Sequence, residues 1–205
     1  EVIAIKVRTS TAETINQRYW MVSHHHKLDA LTRILEAETF DAVIIFVRTK
    51  TATVELSERL EARGYASNAI NGDMAQKARE RTIEQLKDGK LDILVATDVA
   101  ARGIDVPTIT HVFNYGLPMK AEDYTHRIGR TGRAGRSGTA ISFVRPREMY
   151  SLRHYERLTS GTIAMYDLPN IQEIGKARIE RTCTELAAIV ADKELTAMRE
   201  IIETM

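Results

Sequence analysis

"DAVIIFVRTKTATVELSERLEARG" (residues 41–64) holds the two signals from which the fold is read. Its first seven residues form an apolar run rich in β-branched side chains and bounded by charge, the pattern of a strand buried on both faces. The rest opens on a threonine, spaces Val54, Leu56 and Leu60 at helical intervals and stops at Gly64, a residue suited to the position after a helix end. The unit then repeats. "YASNAI" (65–70) predicts a strand, "GDMAQKARERTIEQLKDG" (72–89) a helix closing on another glycine, and "LDILVATD" (91–98) a third strand. "THVFNYG" (110–116) and "GTAISFV" (138–144) predict two more, with a helix over 119–128 between them. This alternation predicts an α/β domain whose mostly parallel sheet is flanked by helices. Such sheets bind ligands beyond the carboxyl ends of their strands, where "RTK", "NGDM" and "TDVAARGID" fall.

Outward from this core the signals thin. A helix is expected over 27–38, preceded by "SHHHKL", whose consecutive histidines diverge on any helix or strand and read as a loop, not a metal site. Tyr19 and Trp20 read as core aromatics. After Pro146 a helix is expected to 159, then a loop or short extended link. Ile171, Ile174, Ile179, Cys183, Leu186 and Val190 then recur at helical intervals and predict a packing face. The chain is therefore divided into a domain of residues 1–160 and a mainly helical C-terminal extension of 161–205, which either caps the domain or mediates a dimer.

The hydrophobic share of 43% and charged share of 28% are those of an ordinary globular chain. A net charge of +1 excludes a polycation, but between Lys120 and Arg157 nine Lys or Arg stand against four Asp or Glu, a local basic field. The single cysteine forms no internal disulfide, which with the lack of a long apolar run or a signal-peptide pattern points to the cytoplasm and away from membranes. The strand-like start without methionine suggests a piece cut from a longer protein.

The basic field centres on "HRIGRTGRAGRSG" (126–138), with an arginine and a glycine at every third position. Glycines let backbone N–H groups approach an anion, and guanidinium forks match phosphate oxygens. The pattern suits a polyphosphate or a nucleic-acid backbone. A phosphate cradle of the G-x-x-x-x-G-K-[ST] kind is missing, since "DGKL" (88–91) puts leucine where the metal-binding hydroxyl would stand. The arginines therefore serve a nucleotide bound mainly elsewhere.

"FVRTK" (46–50), "NGDMAQKARE" (71–80), "VATDVAARGIDVP" (95–107) and "YTHRIGRTGRAGR" (124–136) occur in the order and spacing of the second RecA-like domain of DEAD-box RNA helicases. The resemblance covers about residues 1–160, and the surrounding sequence is most similar to the bacterial cold-shock type. It implies an ATP-dependent RNA helicase whose P-loop and Mg²⁺ ligands lie on an N-terminal RecA-like domain of the same protein. ATP would be bound mainly there, and this domain alone would be inactive.

Residue by residue, Arg130 and Arg133 resemble the two fingers that reach the γ-phosphate, and His126 the residue that links this motif to the first domain. Asp105 resembles the carboxylate that accepts from the ribose, with Gly103 and Arg102 shaping its loop. Arg48, Thr49, Gly72, Asp73, Gln76, Arg79 and Thr97 resemble the RNA-backbone contacts, which read phosphates and 2′-hydroxyls without base sequence. Plainer readings stand beside these: a structural His126, an Arg102–Asp105 ion pair, and Arg79 paired with Glu80 or Glu84. A non-catalytic RNA-binding module and a DNA translocase are the rival functions. Partners implied by the family are RNA, the N-terminal domain and ribosomal or RNA-processing complexes.

Overall fold

A computed structural model describes residues 14–22, 26–133, 135–159 and 161–191. The chain falls into two compact units. The first, residues 1–27 and 40–167, carries a seven-stranded sheet in which every strand pair is parallel. Its strands are β1 (Ile15–Met21), β2 (Ala42–Phe46), β3 (Ser67–Ile70), β4 (Ile93–Ala96), β5 (Ile109–Asn114), β6 (Gly138–Val144) and β7 (Ile163–Met165), in the order β3-β4-β2-β5-β6-β1-β7. The expected α/β architecture is present, with two strands that the sequence pattern did not disclose, β1 and β7.

Local chemistry explains the elements. All five residues of β2 are buried, as its unbroken apolar run requires of a strand covered on both faces. Helix α2 (Lys50–Glu61) starts where Thr49 turns its hydroxyl back to accept from the Ala52 N–H at 3.2 Å. Past its end Gly64 takes a φ of 88°, and past α3 (Gln76–Lys87) Gly89 takes 68°, conformations that a side chain would strain. Helix α4 (Ala121–Ile128) and helix α5 (Met149–Thr159) follow β5 and β6. Ile44, Phe46, Leu94, Val112, Tyr124 and Leu152 are among the core residues that join sheet and helices.

Tyr19 lies in that core at 7% exposure, and Trp20 meets Phe143 edge to face with ring centroids 5.5 Å apart. Within the loop or short extended link expected over the 160s lies β7, an extended stretch of three residues that pairs with β1 in register Gln17↔Ile163. Gln17 is buried within β1 because its amide oxygen accepts from the Tyr124 hydroxyl at 2.9 Å.

The second unit, residues 28–39 and 168–205, joins most of α1 (Lys27–Ala37) to α6 (Ile171–Ala191). Arg178 pairs with Glu36 at 2.8 Å, and Arg181 donates to the Glu36 carbonyl at 3.0 Å. The helical spacing expected here holds, but the burial does not. Ile174 is buried, whereas Ile171, Ile179, Leu186 and Ile189 are exposed and Cys183 is exposed with them. Length explains part of it. At 1.5 Å per residue the 21 residues of α6 run about 31 Å and the 11 of α1 about 16 Å, so Leu186 and Ile189, past the Arg181–Glu36 contact, lie beyond the shorter helix, whereas Ile171 and Ile179 are exposed although they fall within its span. The expectation for Val190 concerns a side chain outside the described residues, as Ser23 to His25 of the histidine run also are.

Candidate nucleotide cleft and nucleic-acid face

Because every strand runs the same way, the carboxyl ends of β2, β4 and β5 lie side by side, and α4 returns over them. Between these elements is a cleft of about 300 Å³, lined among others by Phe46, Asp98, Gly103, His126, Arg127 and Arg130. Its floor is a network that the sequence reading passed over. Arg127 is 2% exposed and grips both oxygens of Asp98, Nε to Oδ1 at 2.5 Å and Nη2 to Oδ2 at 2.8 Å. Its Nη1 donates to Asn114 Oδ1 and to the Gly116 carbonyl, each at 3.1 Å, and its guanidinium lies 5.1 Å from the centre of the Phe46 ring. One side chain thus ties the ends of β2, β4 and β5 to α4. Asp98, the acidic residue just past the end of β4, is thereby committed to an arginine.

At the rim, the two expected fingers meet. Arg130 Nη1 donates to the Ile104 carbonyl at 2.8 Å, and Arg133 Nη1 donates to the same oxygen at 3.3 Å. Arg133 also pairs with Asp105 at 2.5 Å, in an ion pair whose carboxylate is 78% exposed. Burial, and then the neighbouring Arg133 charge, pull Arg130 below the ordinary arginine value, with Asp105 opposing. Two guanidiniums brought this close favour an anion between them. Asp105 takes Arg133, so the Arg102–Asp105 pair considered from sequence does not form. Gly103 has a φ of 75° with no atom near the Cβ it lacks, so backbone conformation requires this glycine. His126 is exposed, and its carbonyl accepts from Arg130 Nε at 3.2 Å.

The residues assigned to RNA contact gather at the ends of β2, β3 and β4, which are neighbours in the sheet. Lys50 pairs with Asp73, and a Cβ added at Gly72 would stand 3.7 Å from Lys50 Cε. Arg79 does not pair with Glu80 or Glu84. It donates to the carbonyls of Ala100 (3.3 Å) and Arg102 (2.7 Å), while Gln76 takes Glu80 at 2.7 Å. Arg79 therefore braces the loop that carries Gly103 and Asp105. Thr49 caps α2, Arg48 donates to the Leu117 carbonyl at 2.9 Å and to Glu148 at 3.1 Å, and Thr97 is 8% exposed. Among the described residues no cluster of three or more His, Cys, Asp or Glu could hold a metal ion, and no helix is long and apolar enough to cross a membrane.

A parallel sheet with an arginine-rimmed cleft at its carboxyl edge is the architecture of a RecA-like domain, and the helicase conserved C-terminal domain matches residues 26–135. In a crystal structure, the Escherichia coli DEAD-box protein SrmB bound to the regulator of ribonuclease activity A is 38% identical at a TM-score of 0.69, over 78% of this chain and 93% of that one. The chain belongs to the DEAD-box family as its C-terminal RecA-like domain, of the DeaD type. The ATP-dependent RNA helicase DeaD of Buchnera aphidicola subsp. Baizongia pistaciae is 52% identical over 200 residues, 98% of this chain and 33% of the relative. Saccharomyces cerevisiae Dbp5 bound to RNA and ADP BeF3 is 33% identical at a TM-score of 0.71, over 80% of this chain and 45% of that one. The chain spans about a third of the length of the curated relatives it matches.

Proposed function

We propose that this chain forms half of a composite ATP and RNA site in an ATP-dependent RNA helicase of the cytoplasm, completed by an N-terminal RecA-like domain. The observation that carries the reading is the convergence of Arg130 and Arg133 on the single Ile104 carbonyl at the cleft rim. Cations gathered this closely stabilise charge that develops on a transferring phosphoryl group. ATP is the substrate, bound mainly by the other domain, which also supplies the ligands for Mg²⁺. Asp105 accepts from the ribose and Gly103 keeps its loop close. The nucleotide then displaces Arg133 from Asp105 and draws it, with Arg130, to the γ-phosphate, while His126 couples the rim to the facing domain.

RNA lies along Arg48, Thr49, Gly72, Asp73, Gln76, Arg79 and Thr97. Arg79 bridges the two halves of the reading, since the loop it braces also holds Asp105. Both ligands favour the closed pair of domains, so each raises the affinity for the other. Residues 1–160 are taken as the catalytic half, and the exposed apolar side chains of α6 as the surface offered to a second copy of the chain. Ribosomal or RNA-processing complexes supply the RNA.

The test is RNA-stimulated ATP hydrolysis by this chain alone, by the full-length protein, and by the full-length protein carrying Arg130→Ala and Arg133→Ala. Silence alone, activity when joined and collapse in the variant are expected. Hydrolysis by the isolated chain, or a full-length protein indifferent to both substitutions, would overturn the composite site.

A further inference from the structure

A second cavity opens at the same edge of the sheet. Phe46 lines the nucleotide cleft, and its neighbour Val47 lines this one. The cavity holds about 160 Å³, several times the roughly 30 Å³ that one water occupies in the liquid. Lys27, Arg48 and Arg145 converge on it from the start of α1 and the ends of β2 and β6, and Glu148 is the one carboxylate among its lining residues.

That carboxylate is already engaged. One oxygen takes Arg48 at 3.1 Å and the other the Arg145 backbone N–H at 3.0 Å. Lys27 donates to the Tyr115 carbonyl at 2.7 Å and stands 5.2 Å from the centre of the Tyr115 ring. Arg145 Nε is buried without a hydrogen-bond partner, an uncommon state for a charged donor. Burial, and after it Arg145, pull the Lys27 ammonium down to about 8 against the opposing pull of Glu148, and three cations line the cavity against one carboxylate. Gly116 leaves the middle open: a Cβ there would stand 3.6 Å from Arg48 Nε and 3.9 Å from Lys27 Nζ. Ala52, in the first turn of α2, adds the positive end of a helix.

We propose that this cavity binds a phosphate group, held by Lys27 and Arg145 with Arg48 beside them. A phosphate presents oxygens in several directions and so meets donors arriving from three elements, whereas a planar carboxylate serves one fork. The favoured source is the nucleic-acid backbone, because Arg48 and Thr49 share the β2 end with the RNA face. A strand on that face would then continue from β3, β4 and β2 to β5 and β6. This choice of source rests on the RNA reading above, and free phosphate has the same chemistry.

The experiment measures, on the full-length protein, binding of a short labelled single-stranded RNA by anisotropy and stabilisation by inorganic phosphate in thermal melts. In Lys27→Gln/Arg145→Gln, RNA affinity should fall about tenfold and the slope of log affinity against log salt should shrink by about 1. Lys27→Arg/Arg145→Lys should retain binding. If the neutral pair fails to fold, Arg145→Gln alone carries both arms. Lost RNA affinity supports a nucleic-acid phosphate. Lost phosphate stabilisation with RNA affinity intact supports free phosphate in the same cavity. Wild-type behaviour in both arms overturns the proposal. Arg79→Ala, run alongside, tests the RNA face separately: if it changes nothing, that reading fails while the phosphate arm still decides the cavity.

Discussion

Arg127 and Arg133 lie six positions apart in one glycine-arginine stretch, and each grips an aspartate, yet the two pairs are different devices. Arg127 is sealed in, with both forks of its guanidinium used and two neutral oxygens besides. Arg133 is 26% exposed against a carboxylate that is 78% exposed. Identical chemistry in unequal solvent gives a structural clamp in one case and an exchangeable contact in the other. A buried cation that loses its partner has nowhere to go, whereas an exposed one is solvated at once.

The contrast is most exposed to failure at Arg133. In the full-length protein Arg133→Ala should lower RNA-stimulated ATP hydrolysis by roughly 10³-fold or more, while its melting curve stays where it was, as expected of a surface pair worth about 0–1 kcal/mol. A large loss of stability would place Arg133 in the same class as Arg127. The reverse is expected at the clamp: Asp98→Ala, which strands the buried Arg127 cation, should cost about 3 kcal/mol of unfolding free energy in urea titrations. A double-mutant cycle sharpens the comparison, with the Arg127–Asp98 coupling several times that of Arg133–Asp105.

Asp105→Asn tests whether the exposed carboxylate is free to change partner. ATP affinity should fall about tenfold, the effect of one charge-assisted hydrogen bond, with little change in melting temperature. The smallest effect concerns Lys27, a cation between the two extremes. Its proton is held less tightly in the folded chain than in the unfolded one, so the folded state binds fewer protons from about pH 8 upwards and stability should rise with pH there. Tyr124 and Tyr155, pushed up chiefly by burial, oppose this only above the ordinary tyrosine range. Melts in mildly alkaline buffer should show the rise, and Lys27→Met should flatten it.

What could be read in advance follows from how local each signal is. Strands β2 to β6 carry their own apolar runs, and Gly64 and Gly89 mark helix ends by backbone preference alone. β1 hides because "INQRYWM" interrupts its apolar residues with Gln17, whose burial makes sense only once Tyr124 arrives to bond it. β7 hides because three residues, two of them exposed, have no period to read. Within the site, the rim arginines were legible from their pattern. The Arg127–Asp98 clamp was not, since each residue has a plausible separate use, and the Lys27 cavity is assembled from segments that share no spacing. On α6 the period was read correctly, but a period says that a face exists and not that anything covers it.

The position of β1 has a consequence in time. It lies between β6 and β7, in register Ile15↔Gly138 on one side and Gln17↔Ile163 on the other. Among the described strands of this sheet, the earliest in the chain must therefore wait for the latest, and until they emerge its backbone donors and acceptors have no partners in the sheet. Such distant pairings slow folding, because a long loop must close before the contacts reward it. On the ribosome the neighbouring strands β2, β4 and β3 can pair early, while the domain stays open at one side until residue 165 has cleared the exit. A nascent chain halted after β6 would carry every arginine of the cleft rim and still lack the last strand of the sheet that holds them.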